Sequence, residues 1–196
     1  MKNDLYKFGW FPDGCHPDGP KDARFEYPNI WARETTSGPD RLVIAPSADY
    51  TGLLQKLAED LHPPFLLLYV LAIPRGGGEP GRYQSNYTFS ALQLQQFLSS
   101  YSNFLEQDAR HNLWIRSEDG DGMLVYDRHN VIYAYGPLER FIAALESEGL
   151  TESKEVRFPV PHAHHYHAEF DVDERSVLKN EEWTLSPLHP GDENPE

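Results

Sequence analysis

A single cysteine, Cys15, is all the thiol chemistry that 196 residues offer. One cysteine cannot close an internal disulfide or build a Cys-rich zinc framework, which points to a reducing compartment. No apolar run approaches the ~20 residues needed to span a bilayer. The opening residues, MKNDLYKFGWFPDG, lack the positive region and apolar stretch of a leader. A cytoplasmic protein with no membrane contact is expected. Cations are scarce as well: 17 Lys and Arg stand against 31 Asp and Glu, for a net charge of −14. Nucleic-acid binding relies on Lys and Arg to neutralise phosphates, so no nucleic-acid partner is expected. A basic protein partner would instead be drawn in by the field.

The chain has ample apolar material, 39% hydrophobic and 13% aromatic, enough for one sizeable core at this length. We expect one α+β domain over residues 1–186, with a mixed, mainly antiparallel sheet flanked by two or three helices. Residues 1–40 are rich in Gly, Pro and aromatics and hold no sustained period, so they read as an irregular aromatic N-terminal arm laid over the core. Residues 187–196, SPLHPGDENPE from Ser186 on, read as a flexible acidic tail whose deletion costs no more than about 0.5 kcal/mol.

Between these ends the order is β-α-β-α-β-β-β-α-β, with no internal repeat. RLVIA (41–45) is a strand, and Asp49 stands where it can cap a helix striped by Leu53, Leu54, Leu57, Ala58 and Leu61. FLLLYVLAI (65–73) reads as a central strand covered on both faces. PRGGGEPGRYQSNY (74–87) reads as a long loop. Ser90 and Gln93 form a capping box for a helix running to about Ala109, with Leu94, Phe97, Leu98, Tyr101 and Leu105 as its stripe. Two strands around Asp127–Asn130 follow, then a helix opened by Pro137 and closed by Gly149. EVRFPVPHAHHYH is a Pro-interrupted edge strand, and a short helix is expected near 172–180.

HAHHYH, with four imidazoles in six residues, is the strongest chemical signal. In an extended strand His162, His164 and Tyr166 share one face, while His165, His167 and Glu169 share the other. Positions i and i+4 lie roughly 13 Å apart on a straight strand. That exceeds the gap of about 11 Å that two imidazoles can bridge through one ion. A metal must therefore take an i, i+2 pair, His162 with His164 or His165 with His167, and find a third ligand elsewhere. His111, His129, Asp127 and His16 are available. The candidate metal set is thus His162, His164, His165, His167 and Glu169, for one divalent zinc, nickel or iron ion. The alternative is a row of histidines that only hydrogen-bond or stack at an edge.

Other signals are weaker. In PRGGGEPGR, Arg75 and Arg82 could grip an anion, but the Gly-Lys-Ser/Thr ending of a phosphate loop is missing. EDGDG (118–122) has acids at alternate positions without the terminal Glu of a calcium loop, and reads as a tight turn. Cys15 adjoins His16, but sequence neighbours rarely present thiol and imidazole to each other. Tyr126, Tyr133 and Tyr135 read as cross-strand packing, or as a contact surface if they face solvent beside Trp114.

The pattern His162, His164, Glu169 is similar to part of the cupin metal motif, without its flanking glycines or the later histidine. HAHHYH resembles the H-x-H-x-D-H of metallo-β-lactamase-type hydrolases, with Tyr166 where the acid belongs. The chain is assigned to neither family. Two functions are carried forward. The first is a non-catalytic, inhibitor- or immunity-like domain that offers an acidic, aromatic surface to a partner. The second is a metal-dependent hydrolase or oxygenase built on the histidine cluster.

Overall fold

FLLLYVL forms β5 (Phe65–Leu71), and its neighbours on either side extend it into a nine-stranded sheet. The computed structural model describes residues 5–14 and 21–192, so Cys15 and His16 lie outside the described residues. The strands that precede β5 are β1 (Phe8–Trp10), β2 (Ala23–Arg24), β3 (Ile30–Glu34) and β4 (Arg41–Ala45). After it come β6 (Gly81–Ser85), β7 (His111–Ser117), β8 (Met123–Tyr126) and β9 (Ile132–Tyr135). Last are β10 (Thr151–Glu152), β11 (His162–His164) and β12 (Trp183–Ser186). The helices are α1 (Tyr50–Ala58), α2 (Ala91–Ser100), α3 (Ser102–Gln107), α4 (Leu138–Ser147) and α5 (Asp171–Asn180).

The large sheet runs β10-β3-β4-β9-β8-β7-β5-β6-β12, antiparallel throughout except for the β10–β3 pair. A second, three-stranded sheet runs β11-β1-β2. This is an α+β fold with a mixed, mostly antiparallel sheet. Among the described residues there are five helices: α1, α4, the pair α2 and α3 where one helix was expected, and α5 at the short helix expected near 172–180. Leu53, Leu54 and Leu57 of α1, Leu94, Phe97 and Leu98 of α2, and Phe141 and Leu145 of α4 pack onto one face of the large sheet. There they meet Leu67, Leu113, Ile115, Leu124 and Ile132 in the main core. Among the described residues no helix is long and apolar enough to cross a membrane.

Several expectations need correcting. β5 is covered on both faces only toward its Leu71 end: Phe65, Leu67 and Tyr69 are buried on one face and Val70 on the other, while Leu66 and Leu68, on the face of Val70, are partly exposed. The long loop holds β6, whose Tyr83 pairs with Tyr69 across a register that Gly and Pro density concealed. The Ser90–Gln93 capping box is complete, but the helix breaks at Tyr101 (φ −110, ψ 12) into α2 and α3. Serines flank the break, and Ser102 Oγ donates to the Ser99 carbonyl at 3.3 Å, the local competition that disfavours helix interiors. Asp49 stands at the start of α1 in the left-handed region and makes no side-chain cap. The described residues of the N-terminal forty bury Phe8, Tyr27 and Trp31 and contain β1, β2 and β3 where irregular structure was expected. The acidic tail is held as far as Asp192, which is 6% exposed and accepts from Arg82 at 2.6 Å.

Candidate metal centre

The turn DRHN between β8 and β9 builds half of the site. Asp127 is buried, and its Oδ1 accepts from the amides of His129 at 2.8 Å and Val131 at 2.9 Å, while Asn130 takes φ 61. Asp and Asn favour such turns because their side chains bond the backbone two residues on and tolerate positive φ. The same carboxylate holds His129 itself, with Nδ1 2.9 Å from Asp127 Oδ2. Donation from Nδ1 leaves the Nε2 lone pair of His129 free, the arrangement that orients and strengthens a metal-binding imidazole.

β11 builds the other half. It pairs with β1 through Phe8 with His164, Gly9 with Ala163 and Trp10 with His162. Paired residues share a face, so Phe8, Trp10, His162 and His164 point together. Phe8, 2% exposed, forms a wall against His129, His162 and His164 at ring separations of 5.1 to 5.8 Å. On the opposite face a Cβ at Gly9 would meet the Asp22 carboxylate, with Oδ2 at 1.8 Å, so glycine leaves room for that side chain. Asp22 in turn receives His165 Nε2 at 2.7 Å.

Three imidazoles therefore converge from two distant segments. One ring nitrogen from each of His129, His162 and His164 lies within 4.8 Å of the others. An ion centred in a triangle of that size sits at most about 2.8 Å from each nitrogen, so sub-ångström movements reach the ~2.0–2.1 Å of a zinc–imidazole bond. His162 Nδ1 lies 3.1 Å from the Pro159 carbonyl, which fixes its tautomer with Nε2 free. His164 Nε2 is buried without a hydrogen-bond partner. Its Nδ1 lies 3.3 Å from Arg128 Nη2, so ligation through Nε2 requires that long contact to open. Phe158, 42% exposed, stacks on His129 at 4.8 Å as a partial cover.

Burial, with Arg128 and His129 nearby, pushes His164 down to about 2. Burial and His129 also lower His162. Both rings stay neutral at physiological pH, the form that binds metal. Arg128 is the feature that opposes a cation here, and the Asp127 carboxylate behind His129 partly offsets it.

Comparison with protein-family models, with curated proteins and with solved structures finds no match for this chain. What the site does is therefore read from its residues alone.

Of the five ligands expected from sequence, His162 and His164 meet as an i, i+2 pair. His165 and His167 turn away: His165 goes to Asp22, and His167 Nε2 lies 3.0 Å from the Tyr6 carbonyl. Glu169 sits exposed in the 3-10 turn Ala168–Phe170, on the rim of a 540 Å³ cleft that Lys7 and Glu106 also line. Burial pushes Lys7 down to about 7. Asp127 acts behind His129, and His111 is buried between Tyr69 and Phe104. His129 is the ligand that the five-residue set left out. Its signal was the Asp-x-His spacing in a turn between strands.

The two candidate anion-binding arginines hold carboxylates of the chain itself. Arg75 pairs with Asp171 at 3.2 Å and Arg82 with Asp192 at 2.6 Å. The Gly-rich loop does cradle an anion, but that anion is Glu174, which accepts from the amides of Arg75 and Gly78 at 3.0 Å. Arg110, fully buried, ties Glu174 (2.6 Å) to Asp108 (2.8 Å) and donates to the His167 carbonyl at 2.8 Å. Asp108 Oδ2 accepts from the His167 amide at 2.7 Å. This buried knot fixes the backbone just beyond β11, and with it the placement of His162 and His164.

Proposed function

We propose that the chain binds one divalent transition metal through His129, His162 and His164. The observation that carries this reading is the convergence of three imidazoles, two of them with the second ring nitrogen tied to a protein acceptor. A three-histidine set leaves a fourth position for water, as in catalytic zinc sites. A metal-bound water there is acidic enough to act as a nucleophile near neutral pH, so the chemistry offered is metal-assisted hydrolysis. The iron oxygenase alternative fits less well, because its facial triad needs a carboxylate and Glu169 lies outside the cluster.

The test is calorimetric titration of untagged protein with zinc, nickel and cobalt. Binding of one equivalent is expected, lost in His129→Ala and in His164→Ala and kept in the His165→Ala, His167→Ala double variant. Loss in the double variant with retention in His129→Ala would move the site to the other face and refute the assignment.

A further inference from the structure

The large sheet has a second face that the helices leave uncovered; Phe25, Tyr27 and Val156 pack on its β4–β9 end against Val43 and Tyr133, and the β5–β7–β8 part stays open. Cross-strand register places Leu68, Trp114, Val125, Tyr133 and Val43 in one row, and Leu66, Arg116, Met123 and Tyr135 in the next. Their neighbours on the opposite face, Leu67, Ile115, Leu124, Ala134 and Leu42, are at most 1% exposed. The outer residues are all partly or fully exposed. Strands with one solvated face ordinarily alternate apolar and polar, so Leu66 and Leu68 in FLLLYVL are apolar where solvation does not ask for it. A shallow cavity of 280 Å³ lies over Leu66, Leu68, Trp114 and Met123, with Arg116 and Gln84 at its edge. Tyr133 and Tyr135 point to this face from β9, with β8 between them and Trp114, and Tyr133 packs against the Tyr27 cluster, while Tyr126 faces the core.

Three arginines stand on this face, two of them paired with carboxylates of the chain and the third, Arg116, exposed. Arg41 lies 4.5 Å over the Tyr133 ring, donates to Tyr135 Oη at 2.7 Å and pairs with Glu34. Arg82 lies 5.5 Å over Trp114, and Arg116 is exposed. Glu118 and Asp119, in the turn after β7, bound this face at one end. One acidic segment is already seated at this face: the C-terminal residues, through Asp192 on Arg82 and the Asp192 carbonyl on Asn112 Nδ2 at 3.4 Å.

We propose that this face docks an acidic segment of a partner protein, with a carboxylate on Arg116, next to the chain's own Asp192 on Arg82, and its apolar side chains in the cavity beside Trp114. The proposal is independent of the metal site. It reverses the charge that composition suggested for a partner. At a net charge of −14, long-range repulsion slows the encounter, so such a surface selects by contact rather than by steering.

A labelled random copolymer of glutamate and tyrosine tests it by fluorescence anisotropy against the full chain, with poly-lysine and oligo-dT as comparisons. Saturable binding of the copolymer is expected, with Kd on the order of 1–100 µM. Arg116→Glu, an exposed change, should weaken it roughly tenfold, and Trp114→Ser should weaken it further. Arg33→Glu, on the helix-covered face, should leave it unchanged. The proposal fails if the copolymer does not bind, if Arg116→Glu binds it equally, or if oligo-dT or poly-lysine is preferred. It fails equally if sedimentation finds a dimer that Trp114→Ser dissociates, which would give the face to a second copy of the chain.

Discussion

Replacing Arg110 with Met should unfold the chain more readily by about 3 kcal/mol at pH 7, the lower end of what removing one partner from a buried ion pair costs. Arg110, Asp108 and Glu174 are all fully buried, so the substitution strands two carboxylates rather than one. Four amide bonds soften the loss. Asp108 keeps those of Arg110 (3.0 Å) and His167 (2.7 Å), while Glu174 keeps those of Arg75 and Gly78 (both 3.0 Å). Met also fills most of the volume the arginine stem vacates. The pH dependence is the sharper signature. Burial opposes ionisation of Glu174, but the amides of the 75–78 loop and the Arg110 guanidinium outweigh it and hold its carboxyl below the usual value of 4.5. A depressed carboxyl contributes stability above its unfolded pKa and loses it as pH falls through the folded one. In Arg110→Met burial is no longer countered by the guanidinium, so the gap between wild type and variant should narrow from pH 7 to pH 4. Urea unfolding at both values measures this. A loss under 1 kcal/mol, or a gap that does not change with pH, would refute the claim that the guanidinium holds the carboxylates together.

Three further outcomes follow from the packing. Leu98→Ala, at a position with no solvent exposure in the main core, should cost about 2–5 kcal/mol by chemical denaturation, and a neutral result would mean α2 does not face the core. Deleting residues 187–196 should cost about 1–3 kcal/mol, since Arg82 loses its charged partner Asp192, and a change below 0.5 kcal/mol would show that the pair contributes nothing. Lys7, pushed down to about 7 by burial, binds fewer protons folded than unfolded between pH 7 and its ordinary value of 10.5, so stability from this group should rise as pH goes from 7 to 9. Lys7→Met should flatten that rise and be neutral or stabilising at pH 7, and a destabilised variant would indicate that the buried ammonium is needed.

What the sequence showed was local. The Ser90–Gln93 capping box, the strand Arg41–Ala45, the Glu118–Gly122 turn and the stop at Gly149 all depend on residues within a few positions of each other, and each stands where the chemistry put it. What it concealed was non-local. β1 finds its partner about 155 residues later in β11, a pairing that no periodicity in KFGW announces. β6 was hidden by a glycine-rich run of which Gly81 serves the close approach of β12, a Cβ there meeting Leu185 Cδ1 at 2.4 Å and the Ser186 carbonyl at 2.9 Å, while Gly76 and Gly78 lie against Glu174. In the site, strand alternation correctly separated His162 and His164 from His165 and His167. Alternation could not say which pair a third histidine would join. That choice rests on the Asp127 turn meeting β11 through Phe8, a contact between three separate stretches of chain. The acids of EFDVDE looked like companions of the histidines because they adjoin them, yet Asp171 and Glu174 turn to Arg75 and Arg110.

X-ray absorption at the zinc edge, on untagged protein loaded with one equivalent, tests the central claim most directly. Three imidazole nitrogens at about 2.0–2.1 Å and one light scatterer in the fourth position are expected, with the imidazole signal reduced in His129→Ala. A first shell made mainly of oxygen, or a three-imidazole shell unchanged by His129→Ala, would contradict the assignment of His129, His162 and His164 as the metal centre.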